Sequence, residues 1–382
     1  MLMKGWTLLL VTIIAVSSVA LIFGQMIFSS YSNNNTNNDA LFFGVTLGQP
    51  SVQAAETQID RVKNSTNFIV VASWDITTNE TALNQICDYA YQANLKFIVY
   101  FDYISRIIYP WHSTWLDHAK QRWGNYFLGV YLQDELGGRQ IDTNSTVTNA
   151  SNYTDAANQF VNALAQYNST ILAKSKNIPL FISDYALYWW DYLGGYDNVF
   201  AELGWNLNTT QQIALCRGAA NMQGKEWGVI IDTPPSSNGP SEMSQNMLLA
   251  YESGAKYIVI FNNPTYPEIN QYGSLSEEYL AVTENFWSYM QTHPRQVNDE
   301  ILGQIALVLP NDYGWGMRRN QYITQDRIWG LWPEDDKAHL ILENVNKLVE
   351  QYGLELDIVY ENENFSVYDK YSTVYFWNST IP

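Results

Sequence analysis

The stretch FLGVYLQDELGG, residues 127–138, begins as a hydrophobic strand, passes into a Gln-Asp-Glu run and ends on a glycine pair. Side chains alternate along a strand, so Leu128, Val130, Leu132 and Asp134 share one face, and Phe127, Gly129, Tyr131, Gln133 and Glu135 the other. The first face is greasy, whereas the second turns polar toward its C-terminal end. Two settings fit this pattern. One is an antiparallel strand with a wet face, the other a barrel strand whose outer face meets a helix and whose inner face opens into a site.

The neighbouring segments choose between them. Short apolar runs over 41–48, 68–74 and 96–102 precede the stretch, and runs over 179–184, 199–205, 227–233 and 257–263 follow it, giving eight strands. Helical patterns lie between them, at 81–93, 153–175, 209–223, 241–254 and 275–290, several behind a capping Ser, Thr or Asn. Repeated βα units predict an α/β chain with a parallel sheet, and eight of them predict a closed (β/α)8 TIM barrel over residues 41–293.

Active sites of such barrels gather at the C-terminal ends of the strands. Glu135 ends the fourth strand, with Tyr131 and Gln133 on its face. Asp102 follows the third strand and Asp184 the fifth, while Glu202 lies late in the sixth and Asp232 late in the seventh. A rim of carboxylates is therefore expected around the mouth, with Asp134 turned toward the helix layer.

After Pro294 the pattern changes. Strands over 301–310, 354–361 and 372–378 and a helix over 337–353 predict a small parallel α/β domain across residues 294–382. Its aromatic-rich loop, 311–336, is placed either to reach over a cleft or to staple the two domains together.

Composition narrows the setting. The chain has 382 residues and a net charge of −18, with only 20 Lys and Arg. Nucleic acid is excluded as a partner, because phosphates call for clustered basic residues. The first segment carries Lys4 and then no charged residue until Asp39. Residues 1–30 read as a transmembrane signal-anchor, since about 20 apolar residues span a bilayer, and a cleaved signal peptide is the alternative. A polar tether over 31–40 would hold the globular part outside the cell at the membrane. Ten N-x-S/T sequons agree with an extracellular glycoprotein. Cys87 and Cys216 read as buried free thiols, with a disulfide as the alternative.

The runs QDE after strand four, AELGWN around strand six and IIDTPP after strand seven resemble those of the glycoside hydrolase superfamily of (β/α)8 barrels. A barrel followed by a flavodoxin-like unit is similar to some bacterial and archaeal β-galactosidases, and the resemblance implies an archaeal, membrane-anchored member. Many retaining members carry an acid/base carboxylate after strand four and a nucleophile after strand seven, and another clan uses strands four and six. The present chain has DE where the usual pair is NE, and Asp rather than Glu after strand seven. The C-terminal unit also resembles a glutamine amidotransferase-like domain but contains no Cys.

Glycoside hydrolysis needs two carboxyl groups about 5–5.5 Å apart for retention and about 6.5–9.5 Å apart for inversion, one of them protonated. Glu135 is the expected general acid/base, with Glu202 or Asp232 as its partner. The bland alternatives are a salt bridge for Glu135 and a helix cap for Glu202. Asp102, Tyr131, Gln133, Asp184, Trp189, Trp190 and Trp205 are expected to bind substrate, the tryptophans by stacking on sugar faces. The run YALYWWDY, 185–192, puts more large rings in one loop than are easily buried together. No metal or cofactor is expected: His112 and His118 stand off the register of a zinc helix, and there is neither a GxSxG elbow nor a P-loop. The expected function is that of a membrane-tethered extracellular glycoside hydrolase. A different extracellular barrel hydrolase and a non-catalytic glycan-binding or cell-envelope barrel are the alternatives.

Overall fold

A computed structural model describes residues 41–101, 109–204, 207–232, 239–262, 275–295, 303–318 and 325–381. The expected anchor and tether, Asp102 and Trp205 lie outside the described residues.

The apolar runs form β1 (Phe42–Leu47), β2 (Phe68–Val71), β3 (Lys96–Tyr100), β4 (Phe127–Asp134), β5 (Leu180–Asp184), β6 (Asn198–Leu203), β7 (Glu226–Ile231) and β8 (Tyr257–Ile260). Each pairs in parallel with its successor, and β8 returns to β1, so the sheet closes into a barrel. Rings fill its interior: Phe42, Phe68, Tyr131, Phe181, Phe200 and Tyr257 form one inner cluster, with Phe42 stacked on Tyr257 at 5.0 Å. Rings of this size need small neighbours. A Cβ on Gly228 of β7 would lie 2.6 Å from the Tyr257 Cβ and 3.0 Å from the Phe200 ring.

Helices cover the outer face, and their starts explain part of the sequon pattern. Asn79, Asn152 and Asn208 each accept a backbone N–H in the first turn of the helix that follows. This is the N-cap role that favours Asn. The cap that Glu202 was weighed for, at the helix Thr209–Gln223, belongs to Asn208. Cys87 and Cys216 are both free and buried.

The second unit contains β9 (Ile305–Leu309), a short hairpin of β10 (Arg327–Ile328) and β11 (Trp332–Pro333), then β12 (Leu356–Tyr360) and β13 (Thr373–Phe376). Its main sheet is parallel, in the order β12-β9-β13. Residues 41–382 make one compact unit, so this sheet is packed on the barrel. The helix Thr209–Gln223 carries much of the junction. Arg217 pairs with Asp357 at 2.7 Å, both side chains buried, and donates to the carbonyls of Leu354 and Leu356. Asn221 and Tyr371 donate to the same carboxylate, each at 2.9 Å.

Two expectations about aromatic segments meet the structure here. Part of the YALYWWDY run is a short helix, Tyr188–Leu193, whose rings are buried rather than displayed at the mouth. Trp190 lies edge-on to Trp329 and Tyr360, each at 4.7 Å. Trp189 packs against Tyr360 and Phe365, each at 5.6 Å. The small domain supplies the second wall that makes burial of so many rings possible. In the described part of the 311–336 loop, Tyr313, Trp315 and Trp329 are buried, and the Trp329 carbonyl accepts from Gln140 at 2.6 Å. That part of the loop staples the domains.

Candidate functional site

The site is built on β4, which has eight residues against five in each of its neighbours β3 and β5. The excess is absorbed at two irregular steps. Against β3, Phe97 pairs with Phe127 but Ile98 with Gly129. Against β5, Tyr131 pairs with Phe181 but Gln133 with Ile182. Each extra residue inverts the alternation beyond it.

The second step rearranges the mouth. Tyr131 faces inward with Phe181, and after the bulge it is Asp134, opposite Ser183, that returns to the inner face. The expected orientation of Asp134 toward the helix layer is therefore overturned. Gln133 is buried at the level of Ile182, a member of the outer core, and so leaves the mouth. Its Nε2 has no hydrogen-bond partner among the described residues.

Four side chains meet at the inner end of β4, β5 and β6. The Tyr131 hydroxyl donates toward Asp134 Oδ1 at 2.9 Å and Ser183 Oγ at 2.6 Å. Ser183 Oγ is in turn hydrogen-bonded to Asp134 Oδ1 and lies 3.0 Å from Glu202 Oε1. Proton counting gives this cluster its chemistry. Each hydroxyl has one hydrogen to donate, so two hydroxyls cannot serve all these contacts. A proton on Glu202 supplies another, donated to Ser183. Glu202 is set up to hold it: burial comes first in pushing its pKa well above the carboxylate range, followed by the charges of Asp134, Glu135 and Asp184.

Glu135 sits at the rim in a left-handed conformation (φ 57°). Its carboxylate lies 3.8 Å from Arg139 Nε and is part-exposed. Arg139 also donates to the Asp134 and Glu135 carbonyls, tying the turn to the helix Leu136–Thr143. Burial raises the Glu135 pKa and Asp134 adds to it, against the guanidinium charges of Arg139 and Arg318. Arg318 reaches from the small domain to the barrel, where it pairs with Asp142 and lies over the Tyr185 ring at 4.3 Å.

Asp184 is fully buried and accepts the backbone N–H groups of Gly137, Gly138, Tyr185 and Ala186. It therefore fixes the turn that carries Asp134 and Glu135, facing away from the mouth. Burial drives its pKa up to about 7 against those four donors. Trp189 and Trp190, expected to meet sugar, lie in the domain junction described above. Asp232 is at the end of β7, its amide donating to the Leu203 carbonyl at 3.0 Å, beside Gly204. Ser183 was missed by the sequence reading, although alternation from Phe181 points to it. Among the described residues no cluster of His, Cys, Asp and Glu is disposed to hold a metal ion.

No protein-family model matches the chain, and no curated protein matches it. Among solved structures, a truncated 3-deoxy-D-arabino-heptulosonate 7-phosphate synthase from Thermotoga maritima is 10% identical, covering 68% of this chain and 90% of its own, with a TM-score of 0.39. A 3-keto-L-gulonate-6-phosphate decarboxylase from Vibrio cholerae is 10% identical over 65% of this chain and 99% of its own, with a TM-score of 0.36. An endo-1,4-beta-mannanase from Eisenia fetida is 10% identical over 66% and 92%, with a TM-score of 0.47. Likenesses this distant carry no functional argument, and the chemistry rests on the residues of this barrel.

Proposed function

We propose that the chain is a membrane-tethered glycoside hydrolase, acting outside the cell on a polysaccharide or glycan through Asp134 and Glu202. The observation that carries the reading is the sharing of one hydroxyl, Ser183 Oγ, by two carboxyl groups at the C-terminal end of a closed barrel. Oxygens that share a hydroxyl stand no more than two hydrogen-bond lengths apart, a separation compatible with the about 5–5.5 Å of retaining enzymes. Glu202, kept neutral by burial, protonates the glycosidic oxygen. Asp134, which accepts from the Tyr131 and Ser183 hydroxyls, attacks the anomeric carbon. Water then releases the glycosyl group, with Glu202 as the base. Glu135 and Asp232 flank the pair, where they orient the sugar. The tether rests on the uncharged apolar run after Lys4.

A second reading is favoured by a specific observation: the four side chains hydrogen-bond to one another and Glu202 is only 8% exposed, as in a polar plug under a non-catalytic glycan-binding mouth. A screen of neutral polysaccharides and aryl glycosides separates the two. In the hydrolase reading, Glu202→Gln and Asp134→Asn each lower the rate by about 10²–10⁴, Glu135→Gln costs less, and the product keeps its anomeric configuration. Glycan binding with no cleavage of any substrate favours the plug. Equal loss in Glu135→Gln and Glu202→Gln moves the acid to Glu135.

A further inference from the structure

A cavity lies between the small domain and the helix layer of the barrel, and its lining does not include Tyr131, Asp134, Ser183 or Glu202. In the sheet of the small domain the chain passes from β9 to β12 on one side and then crosses to β13 on the other, so the strand order reverses beside β9. Open α/β sheets bind ligands outside the carboxyl ends of their strands at such a reversal. Here that crevice is walled by the barrel helix Tyr153–Gln166 and by Trp190, giving a cavity of about 770 Å³. Its size falls in the range of small-molecule sites.

The lining states the ligand's chemistry. Asp312, Glu361 and Glu363 contribute carboxylates, and among the described residues no Lys, Arg or His lines the cavity. The turn after β9 reads Pro-Asn-Asp rather than a glycine-rich phosphate loop. Phosphorylated and other anionic ligands are therefore repelled. Amides from Asn158 and Asn362 add donors and acceptors. Flat apolar surface comes from Phe365, held edge-on by Trp189 at 5.6 Å, and from Tyr368, which is 69% exposed where most large rings among the described residues are buried.

We propose that this interdomain crevice is a second binding site that takes a neutral oligosaccharide, with Tyr368 and Phe365 against the sugar face and Glu361 and Asn362 on its hydroxyls. Rings that stack and carboxylates and amides that grip vicinal hydroxyls are the pairing such a ligand needs, and no charge on the ligand is required. The site stands whether or not the barrel mouth is catalytic.

The test is an array of neutral, acidic and amino oligosaccharides probed with the whole chain carrying Glu202→Gln, produced without N-glycosylation because Asn364 begins a sequon on the cavity wall. Affinities for the neutral glycans that bind are then measured after adding Tyr368→Ala or Glu361→Gln. Each substitution is expected to weaken binding by about tenfold with the melting temperature unchanged, since both residues are exposed. In the Glu202-intact background, Tyr368→Ala leaves cleavage of any small aryl glycoside unchanged. Neutral binding that is indifferent to both substitutions, or that is lost only through Asp134 and Glu135 variants, overturns the crevice site while leaving the barrel reading intact. Binding confined to amino or acidic glycans overturns it as well.

Discussion

Asp191 carries its carboxyl into the packing between the short helix Tyr188–Leu193 and the barrel, fully buried. Neither of its oxygens has a hydrogen-bond partner among the described residues. Burial, and after it the charge of Asp184, pushes its pKa well above the carboxylate range. Glu202 shifts in the same direction, and Asp184 rises to about 7. The sign follows from proton linkage. A carboxyl whose folded pKa exceeds its unfolded value binds more protons in the folded state. Its stabilising effect is complete below the unfolded value and is lost as pH climbs through the folded one. The melting temperature is therefore expected to fall between about pH 5 and about pH 8. Asp191→Asn, which keeps a neutral group of the same shape, should flatten that fall and raise the melting temperature at the alkaline end. Melts of the two proteins across pH check this, and parallel curves would show that Asp191 does not contribute. Under the proposed hydrolase function the same logic gives a rate that declines as Glu202 loses its proton. That alkaline limb should vanish from the residual activity of Glu202→Gln on an activated aryl glycoside.

At the scale of elements, the junction between barrel and small domain turns on one face of the helix Thr209–Gln223. Gly218 lies so close to β12 that a Cβ would stand 2.6 Å from the Ile358 carbonyl oxygen. That neighbour is backbone and has no rotamer to yield, so Gly218→Ala is expected to cost about 1–3 kcal/mol. At the adjacent position, Arg217→Met leaves Asp357 buried without its cation, a loss of about 3–5 kcal/mol. Chemical denaturation measures both, and a cost below about 0.5 kcal/mol for either would mean that the junction relaxes around the change. All eight barrel strands could be read from apolar runs and the helices between them, because burial in a parallel sheet leaves its mark on local sequence. The bulge after Tyr131 could not be read that way. It arises from pairing an eight-residue strand with five-residue neighbours, and strict alternation gave the inner face to Glu135 and not to Asp134. The burial of Trp189 and Trp190 was hidden for a similar reason. Their partners Trp329, Tyr360 and Phe365 belong to a later domain, so the local surplus of rings looked like an exposed binding loop.

On the scale of the whole molecule, the net charge of −18 on 382 residues arises from scarce cations, 20 Lys and Arg against 38 Asp and Glu. Such a surface offers little to an anionic lipid leaflet, so any membrane attachment has to come from hydrophobic insertion rather than from adsorption. Among the described residues no helix is long and apolar enough to cross a bilayer; the segment proposed to insert is the uncharged run between Lys4 and Asp39. The compact unit begins at Leu41, and its first strand is already sealed against β2 and β8. Removing residues 1–40 is thus expected to leave the melting temperature unchanged within about 1 °C, since the barrel strands close on one another. It should also move the protein from the membrane fraction to the soluble one. With the segment present, protease added to intact cells should digest the globular part while a short Lys4-bearing fragment stays with the membrane, as the positive-inside tendency orients it. A whole chain that fractionates as soluble with its N-terminus intact would contradict the tether. A truncated chain that still sediments with membranes would place the attachment in the folded unit instead.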